Sequence, residues 1–317
     1  MIAMQWDLLA GLAAINLVGM FGNAITGFAE NIVFQIGWYV LSLVGVSTGR
    51  LVESVFILTI ISIPLMAAQS VMQRKLINIP LATTLGITSS LTSLAGVTLL
   101  VGNDNAAMKR VLGALLLAVL FWRVVVERRF KRPPSTSKFE TCTWRHFPGV
   151  AFTGCLSGIL GGLFSVPGPP NMVFVLIVNI GKDEWRGTSC FAGLVQLPVR
   201  LAGLLLLDRS HVDFKSLWPE CATSFTCGLI GLLLGNLLAP YVSENVFRQL
   251  ILLTLLFGGL ALVTADMGLV TLWLTLGVCG AISAYGLVYT LLRLIRPNAT
   301  VACREALTSN TQDGIPD

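Results

Sequence analysis

Apolar stretches, most of them near the length of one bilayer-spanning helix, alternate with short polar turns along almost the whole chain. They fall at 8–28, 30–46, 51–72, 80–101, 107–126, 149–164, 168–180, 187–207, 217–240, 245–264 and 268–292. Uninterrupted apolar runs of about twenty residues predict transmembrane helices, so the expected class is an all-α polytopic membrane protein. One stretch breaks this pattern. In "GGLFSVPGPPNMVF" (161–174) three prolines fall within four residues and follow a glycine pair, which no ordinary helix tolerates. The flanking arms, Val150 to Phe164 and Gly168 to Ile180, are short. Fifteen residues of helix rise about 22 Å, against a hydrocarbon core about 30 Å thick. The expectation is a re-entrant hairpin whose irregular tip lies near the membrane middle, where such backbone survives only in protein or beside a water-filled cavity.

Charge orients the spans. Arg128, Arg129, Lys131, Arg132, Lys138 and Arg145 crowd the loop between the fifth and sixth segments, which places it on the cytoplasmic side. Counting outward puts Arg74 and Lys75 inside. Lys182, Arg186, Arg248, Arg293, Arg296 and Arg304 join them only if 149–180 re-enters instead of crossing. The N-terminus is then outside and the C-terminus cytoplasmic. No basic residue precedes Arg50, so 8–28 is expected to be a retained span and not a secretory signal. Trp6, Trp122, Trp144, Trp185 and Trp218 stand where interfacial aromatics are expected.

A shift of 140 residues lays "ENIVFQI" on "PNMVFVL", matching Asn31 with Asn171, Val33 with Val173 and Phe34 with Phe174. At the same offset Gly22 meets Gly162, Lys75 meets Lys215 and Asn105 meets Asn245. Polar identities held in register across loops and helices indicate duplication. The expected architecture is two inverted-topology repeats, each a broken helix hairpin plus three spans. The boundaries are 1–126 for repeat 1, 127–147 for the basic loop, 148–264 for repeat 2, 265–292 for one extra C-terminal span and 293–317 for a cytoplasmic tail. Inverted repeats with discontinuous helices characterise secondary transporters.

Composition narrows the alternatives. The chain is 55% hydrophobic and 12% charged, with a formal net charge of +5 whose basic residues lie in loops, so a nucleic-acid partner is not expected and membrane lipid is. Seven cysteines without a CxxC pair and two distant histidines suggest neither a metal site nor a disulfide framework. HExxH is absent and no cofactor motif appears, so an enzyme is not expected.

"GILGGLFSVPGPPNMVFVLIVNIGKDEWRGT" (158–188) resembles the second-repeat motif of the TauE/SafE family of sulfite and organosulfonate permeases, a GGLFGxGGPP-like loop, an apolar arm and an RGT or RAT turn. "GLLLGNLLAPYVSENVFRQLILLTLLFGGLALV" (231–263) is similar to that family's later signature. The resemblance implies transport of small sulfur-containing anions, proton-linked or facilitated. This chain departs from the pattern at Ser165, Val166 and Pro167, where the family usually carries glycines, and at Glu30, which falls opposite Pro170.

The expected anion site is the backbone and side chains of the second break, Gly161, Gly162, Phe164, Ser165, Val166, Gly168, Pro169, Pro170 and Asn171. Its counterpart is Asn23, Thr26, Gly27 and Asn31, with Gln196 and Arg200 from the following span. Helix arms beginning near the midplane, the second near Pro170, point N–H groups and positive dipole ends at an oxyanion. For Gly161 and Gly162, close helix packing is an equal alternative. A charge at a helix centre costs about 2.5–3.5 kcal/mol on insertion scales, so Arg200 and Glu30 require a role. Arg200 would supply charge to the anion, and Glu30 is the proton-coupling candidate; the plain alternative is that they pair with each other. Arg50 and Glu53 read as interfacial, and Arg186 as topogenic. The functional expectation is a permease for small sulfur anions working by alternating access. An anion channel, or a carrier of another small anion such as a carboxylate, is the alternative.

Overall fold

A computed structural model describes residues 2–27, 29–47, 50–102, 147–178, 180, 182–207 and 217–239, with scattered positions between 108 and 121 and between 256 and 263. The basic loop to residue 146, the extra C-terminal span and the tail lie outside these residues, as do Trp122 and Trp144. The described chain is helical: α1 (Ile2–Thr26), α2 (Ala29–Leu43), α3 (Leu51–Met72), a 3₁₀ turn (Arg74–Leu76), α4 (Ile79–Gly102), α5 (Phe147–Phe164), α6 (Gly168–Val178), α7 (Lys182–Leu207) and α8 (Trp218–Leu238). Six of these, α1, α3, α4, α5, α7 and α8, are long and apolar enough to cross a membrane. Leu91 and Leu94 on α4, Phe152 on α5 and Leu233, Leu234 and Leu237 on α8 point outward, as side chains facing lipid would.

Two expectations from sequence shift here. α5 starts at Phe147 and runs 18 residues, about 27 Å, so its length no longer argues that it stops half-way. The shortness belongs to the second arms, α2 at 15 residues and α6 at 11, and α6 begins at Gly168 and not at Pro170. Trp185 is 1% exposed and packs beside Gly27, whereas Trp6 and Trp218 are exposed.

Shifted by 140 residues, α1 to α4 fall on α5 to α8 in order. The contacts match too: α1 lies along α8 as α5 lies along α4. Both seams are laid on glycine, where close backbone approach replaces the hydrophobic drive that lipid cannot supply. Gly154, Gly158 and Gly162 of α5 meet Leu85 and Thr88, Ser89 and Thr92, then Ser93 and Gly96 of α4, both series rising together, so the helices run the same way. Gly231 and Gly235 of α8 meet Leu17 and then Phe21 and Ala24 of α1, again in the same direction.

The remaining directions follow from contacts of the same kind. Asn23 of α1 bonds Gln69 of α3, and Met20 and Leu65 share Gly228 as a neighbour, so α1 and α3 run together. Gly187 and Gly193 of α7 meet Gln73 and then Met66, so α3 and α7 run oppositely. Gly86 meets Ala192 and Val195, and Gly203 meets Leu94 and Val97, so α4 and α7 run together.

Candidate functional site

Each helix pair α1–α2 and α5–α6 turns on one residue in left-handed backbone. α5 ends at Phe164, and Ser165 has φ 59°. Its N–H donates to the Gly161 carbonyl at 2.9 Å, the single bond that closes a left-handed helix cap. Gly27 closes α1 in the same way, with φ 81° and a bond to the Asn23 carbonyl at 2.6 Å. Glycine accepts this conformation freely; serine adopts it against the clash of its Cβ with the backbone. The 140-residue offset lays Gly27 on Pro167, so the two caps sit two places apart in that register.

The second break gathers donors. Arg200 is 2% exposed, and its Nη1 donates to the Gly161 carbonyl at 2.8 Å, the same oxygen that receives Ser165 N–H. Gln196, one turn earlier on α7, lies against Gly161: a Cβ there would collide with the Gln196 amide nitrogen. Three buried donors here have no partner among the described residues, Arg200 Nε, Gln196 Nε2 and Ser165 Oγ. From the opposite side Gln35 of α2 donates Nε2 to the Phe164 carbonyl at 3.0 Å, held by a bond from Ser54 Oγ to its Oε1 at 2.9 Å. A helix C-terminus normally exposes carbonyl oxygens and partial negative charge. At α5 the Gly161 and Phe164 oxygens are covered, one by a cation.

Other sequence-selected residues take different roles. Gly162 faces Ser93 and Gly96 of α4, while Gly161 faces the Gln196–Arg200 turn. The Phe164 and Val166 side chains join the apolar core. Asn171 Nδ2 donates to Ser157 Oγ at 3.0 Å, and Ser157 Oγ donates to the Pro167 carbonyl at 2.9 Å, which staples α5 to α6; Asn171 Oδ1 remains without a partner among the described residues. Prolines occupy two of the first three positions of α6, so of Gly168, Pro169 and Pro170 only Gly168 carries an N–H.

The first break has the opposite character. Glu30, fully buried in the first turn of α2, accepts from Ser62 Oγ at 2.9 Å through Oε1, and its Oε2 has no partner among the described residues. An acidic group here is favoured by the helix dipole and occupies the very end that an anion would seek. Thr26 Oγ bonds the Gly22 carbonyl and receives Ala29 N–H, Ser189 Oγ donates to the Gly27 carbonyl at 3.4 Å, and Asn31 is buried. Glu30 and Arg200 influence each other electrostatically but do not meet as an ion pair, so direct pairing does not account for the two buried charges. Arg50 and Glu53 do pair, at 3.8 Å, at the start of α3. Arg186 is 6% exposed and donates to Asn236 Oδ1 at 2.8 Å, a more enclosed position than a purely topogenic charge requires.

Gln35, Ser62 and Ser157 did not stand out in the sequence. The signal for Gln35 lay inside "ENIVFQI": an amide amid apolar neighbours, on an arm too short to reach water at both ends. At the repeat offset Gln35, Gln196 and Arg200 fall on Val175, Phe56 and Ile60. The chemistry of each break therefore belongs to one half only.

The family described as "Sulfite exporter TauE/SafE" matches residues 8–262. No curated protein and no solved structure matches the chain.

Proposed function

Since the chain belongs to the sulfite exporter TauE/SafE family of membrane transporters, we propose that it carries small sulfur-containing anions, such as sulfite or organosulfonates, by alternating access through a site at the second break. The observation that carries this reading is Arg200, a buried guanidinium spent on a helix-end carbonyl with Nε still unused. A cation in a low-dielectric setting without a carboxylate partner favours a mobile anion as its counter-charge. Gln196 Nε2 and Ser165 Oγ are donors in the same place, and Gly161 leaves room for the backbone to approach. The first break, with Glu30, is the proton-carrying side: an anion arriving near a buried carboxylate favours the protonated acid.

Inverted repeats are the architecture of this proposal. Their support is the direction of the helices: α3 opposes α7, and α1 runs with α3 while α5 runs with α4 and hence with α7. α1, α3 and α4 thus run against α5, α7 and α8, as inverted repeats require. The short arms α2 and α6 support a hairpin tip inside the membrane in each half, and the charge bias supports an N-terminus outside and a C-terminus in the cytoplasm.

The test is uptake by proteoliposomes of sulfite, sulfate, thiosulfate, taurine and sulfoacetate, with Arg200→Ala beside the unaltered protein. Saturable uptake that falls at least tenfold in kcat/KM in Arg200→Ala supports the reading. Failure to move any of the five removes the substrate class, and an unsaturable current would favour a channel.

A further inference from the structure

We infer that Gln35 is a positioning residue for anion binding: by donating to the Phe164 carbonyl, it keeps the negative end of α5 from facing the anion at the second break. The inference rests on the reading that the anion sits beside Arg200. A broken helix presents both polarities at one point, because the N-terminus of α6 lies three residues from the C-terminus of α5. Unless the α5 carbonyls are neutralised, their partial charges oppose those of the α6 amides, and Pro169 and Pro170 have already removed two of those donors.

The Gly161 carbonyl is covered by Arg200 and Ser165 N–H, and the Leu160 carbonyl receives Val166 N–H at 3.4 Å. Phe164, the last residue of α5, has its carbonyl covered from a different hairpin, by Gln35 at 3.0 Å. Gln35 is 2% exposed, and Ser54 Oγ, whose one hydrogen is shared between the Leu51 carbonyl at 2.7 Å and Gln35 Oε1 at 2.9 Å, lies at the oxygen end of the amide, while only the NH₂ end can serve the Phe164 carbonyl. Packing alone does not call for an amide here, since Val175 fills the matching place in the other half.

The charge environment makes the role testable through protonation. The hydrogen-bond partners of Gln35 are Ser54 from α3 and the Phe164 carbonyl from α5; α1 offers no ionisable residue between Leu8 and Thr26. On α3, Glu53 directly precedes Ser54 and pairs with Arg50 at 3.8 Å; the other ionisable groups are Glu30 on α2 itself and Arg200 and Cys190 of α7, which lie within electrostatic reach of Glu30. In Gln35→Glu, the protonated carboxyl can still donate to Phe164 while accepting from Ser54. The ionised form can only accept and adds a second negative charge to the site.

The experiment is concentration-dependent uptake of each transported anion of the five above, at pH 5.5 and 7.5, by the unaltered protein, Gln35→Leu, Gln35→Glu, Ser54→Ala and Arg200→Ala. Gln35→Leu is expected to raise KM about tenfold with kcat changed less than threefold. Gln35→Glu should match it at pH 7.5 and recover toward the unaltered protein, compared at the same pH, at 5.5. Ser54→Ala, which frees the amide to rotate, should give a smaller rise in KM. Acid rescue separates this role from a folding defect, which lowering the pH would not repair. If Arg200→Ala raises KM but the Gln35 variants do not, or if the Gln35→Glu defect ignores pH, the inference is wrong while the site stands. If Arg200→Ala also leaves KM unchanged, or none of the five is moved, the site reading fails and the inference with it.

Discussion

At the scale of single residues, the two breaks differ in the side chain that closes them and in the charge beside it. Ser165 holds φ 59° where glycine would cost nothing, so Ser165→Gly is expected to stabilise the protein by about 1 kcal/mol, read as a higher melting temperature in detergent. If Oγ is also an anion ligand, KM rises in the same variant; a lower melting temperature would show that the hydroxyl holds the cap instead. Glu30→Gln retains a neutral acceptor for Ser62 and removes the ionisable group. Uptake driven by a pH gradient should be lost while anion counterflow persists, and gradient-driven uptake at the unaltered rate would dismiss Glu30 as the coupling group. Arg200 and Glu30 were legible in the sequence because a charge in an apolar run is costly and therefore conspicuous. Gln35, Ser62 and Ser157 were not, because a neutral polar side chain on an apolar helix has many cheap explanations until its partner in another helix is known.

At the scale of elements, the seam between α4 and α5 rests on absent side chains. A Cβ on Gly158 would meet Thr92 Oγ1, the Ser89 carbonyl and, at 2.7 Å, Ser89 Cα, mostly backbone that cannot step aside. Gly158→Val should therefore destabilise by about 1–3 kcal/mol through forced separation of the helices. Gly102→Ala, at a helix end with nothing within 4 Å, should be close to neutral, and equal melting temperatures for the two would refute the seam. Most helices were legible from apolar run length: the expected 51–72 is α3, and 80–101 lies inside α4. The ends of α1, α5 and α7 were less so, since each extends past its apolar run through residues such as Asp7, Pro148 and Lys182 that the start of a helix admits but hydropathy does not reward. The glycines of α5 carried two meanings in sequence. Only the neighbours separate them, Gly162 turning to α4 and Gly161 to α7.

At the scale of the whole described molecule, the packing crosses the halves. The first hairpin lies along α8 and the second along α4, while α3 packs on α8 and α7 on α4. Divided along the glycine seams, the bodies are α1, α2, α3 and α8 on one side and α4, α5, α6 and α7 on the other, with α3 lying against α7 more extensively than against α8. They meet where α3 crosses α7, at the Gln35–Phe164 bond, and where Ser189 and Arg186 of α7 reach Gly27 and Asn236. The glycine seams lie within the bodies and bring backbone against backbone, whereas the junction joins larger side chains, Met66 with Cys190 and Leu197 among them, and a few side-chain hydrogen bonds, each worth about 0.5–1.5 kcal/mol net. Under the alternating access proposed above, one crossed body would move against the other and the seams would stay intact. Two native cysteines allow the comparison. Met66 of α3 clusters with Cys190 of α7 across the junction, and Thr92 of α4 bonds the backbone of Cys155 of α5 within one body. A short bifunctional thiol reagent applied to Met66→Cys should halt anion exchange, and a reducible linker should restore it on reduction. The same reagent on Thr92→Cys should leave exchange running, with the unaltered protein as control. Arrest by the Thr92–Cys155 link, or free exchange through a complete Met66–Cys190 link, would mean that the moving bodies are divided elsewhere.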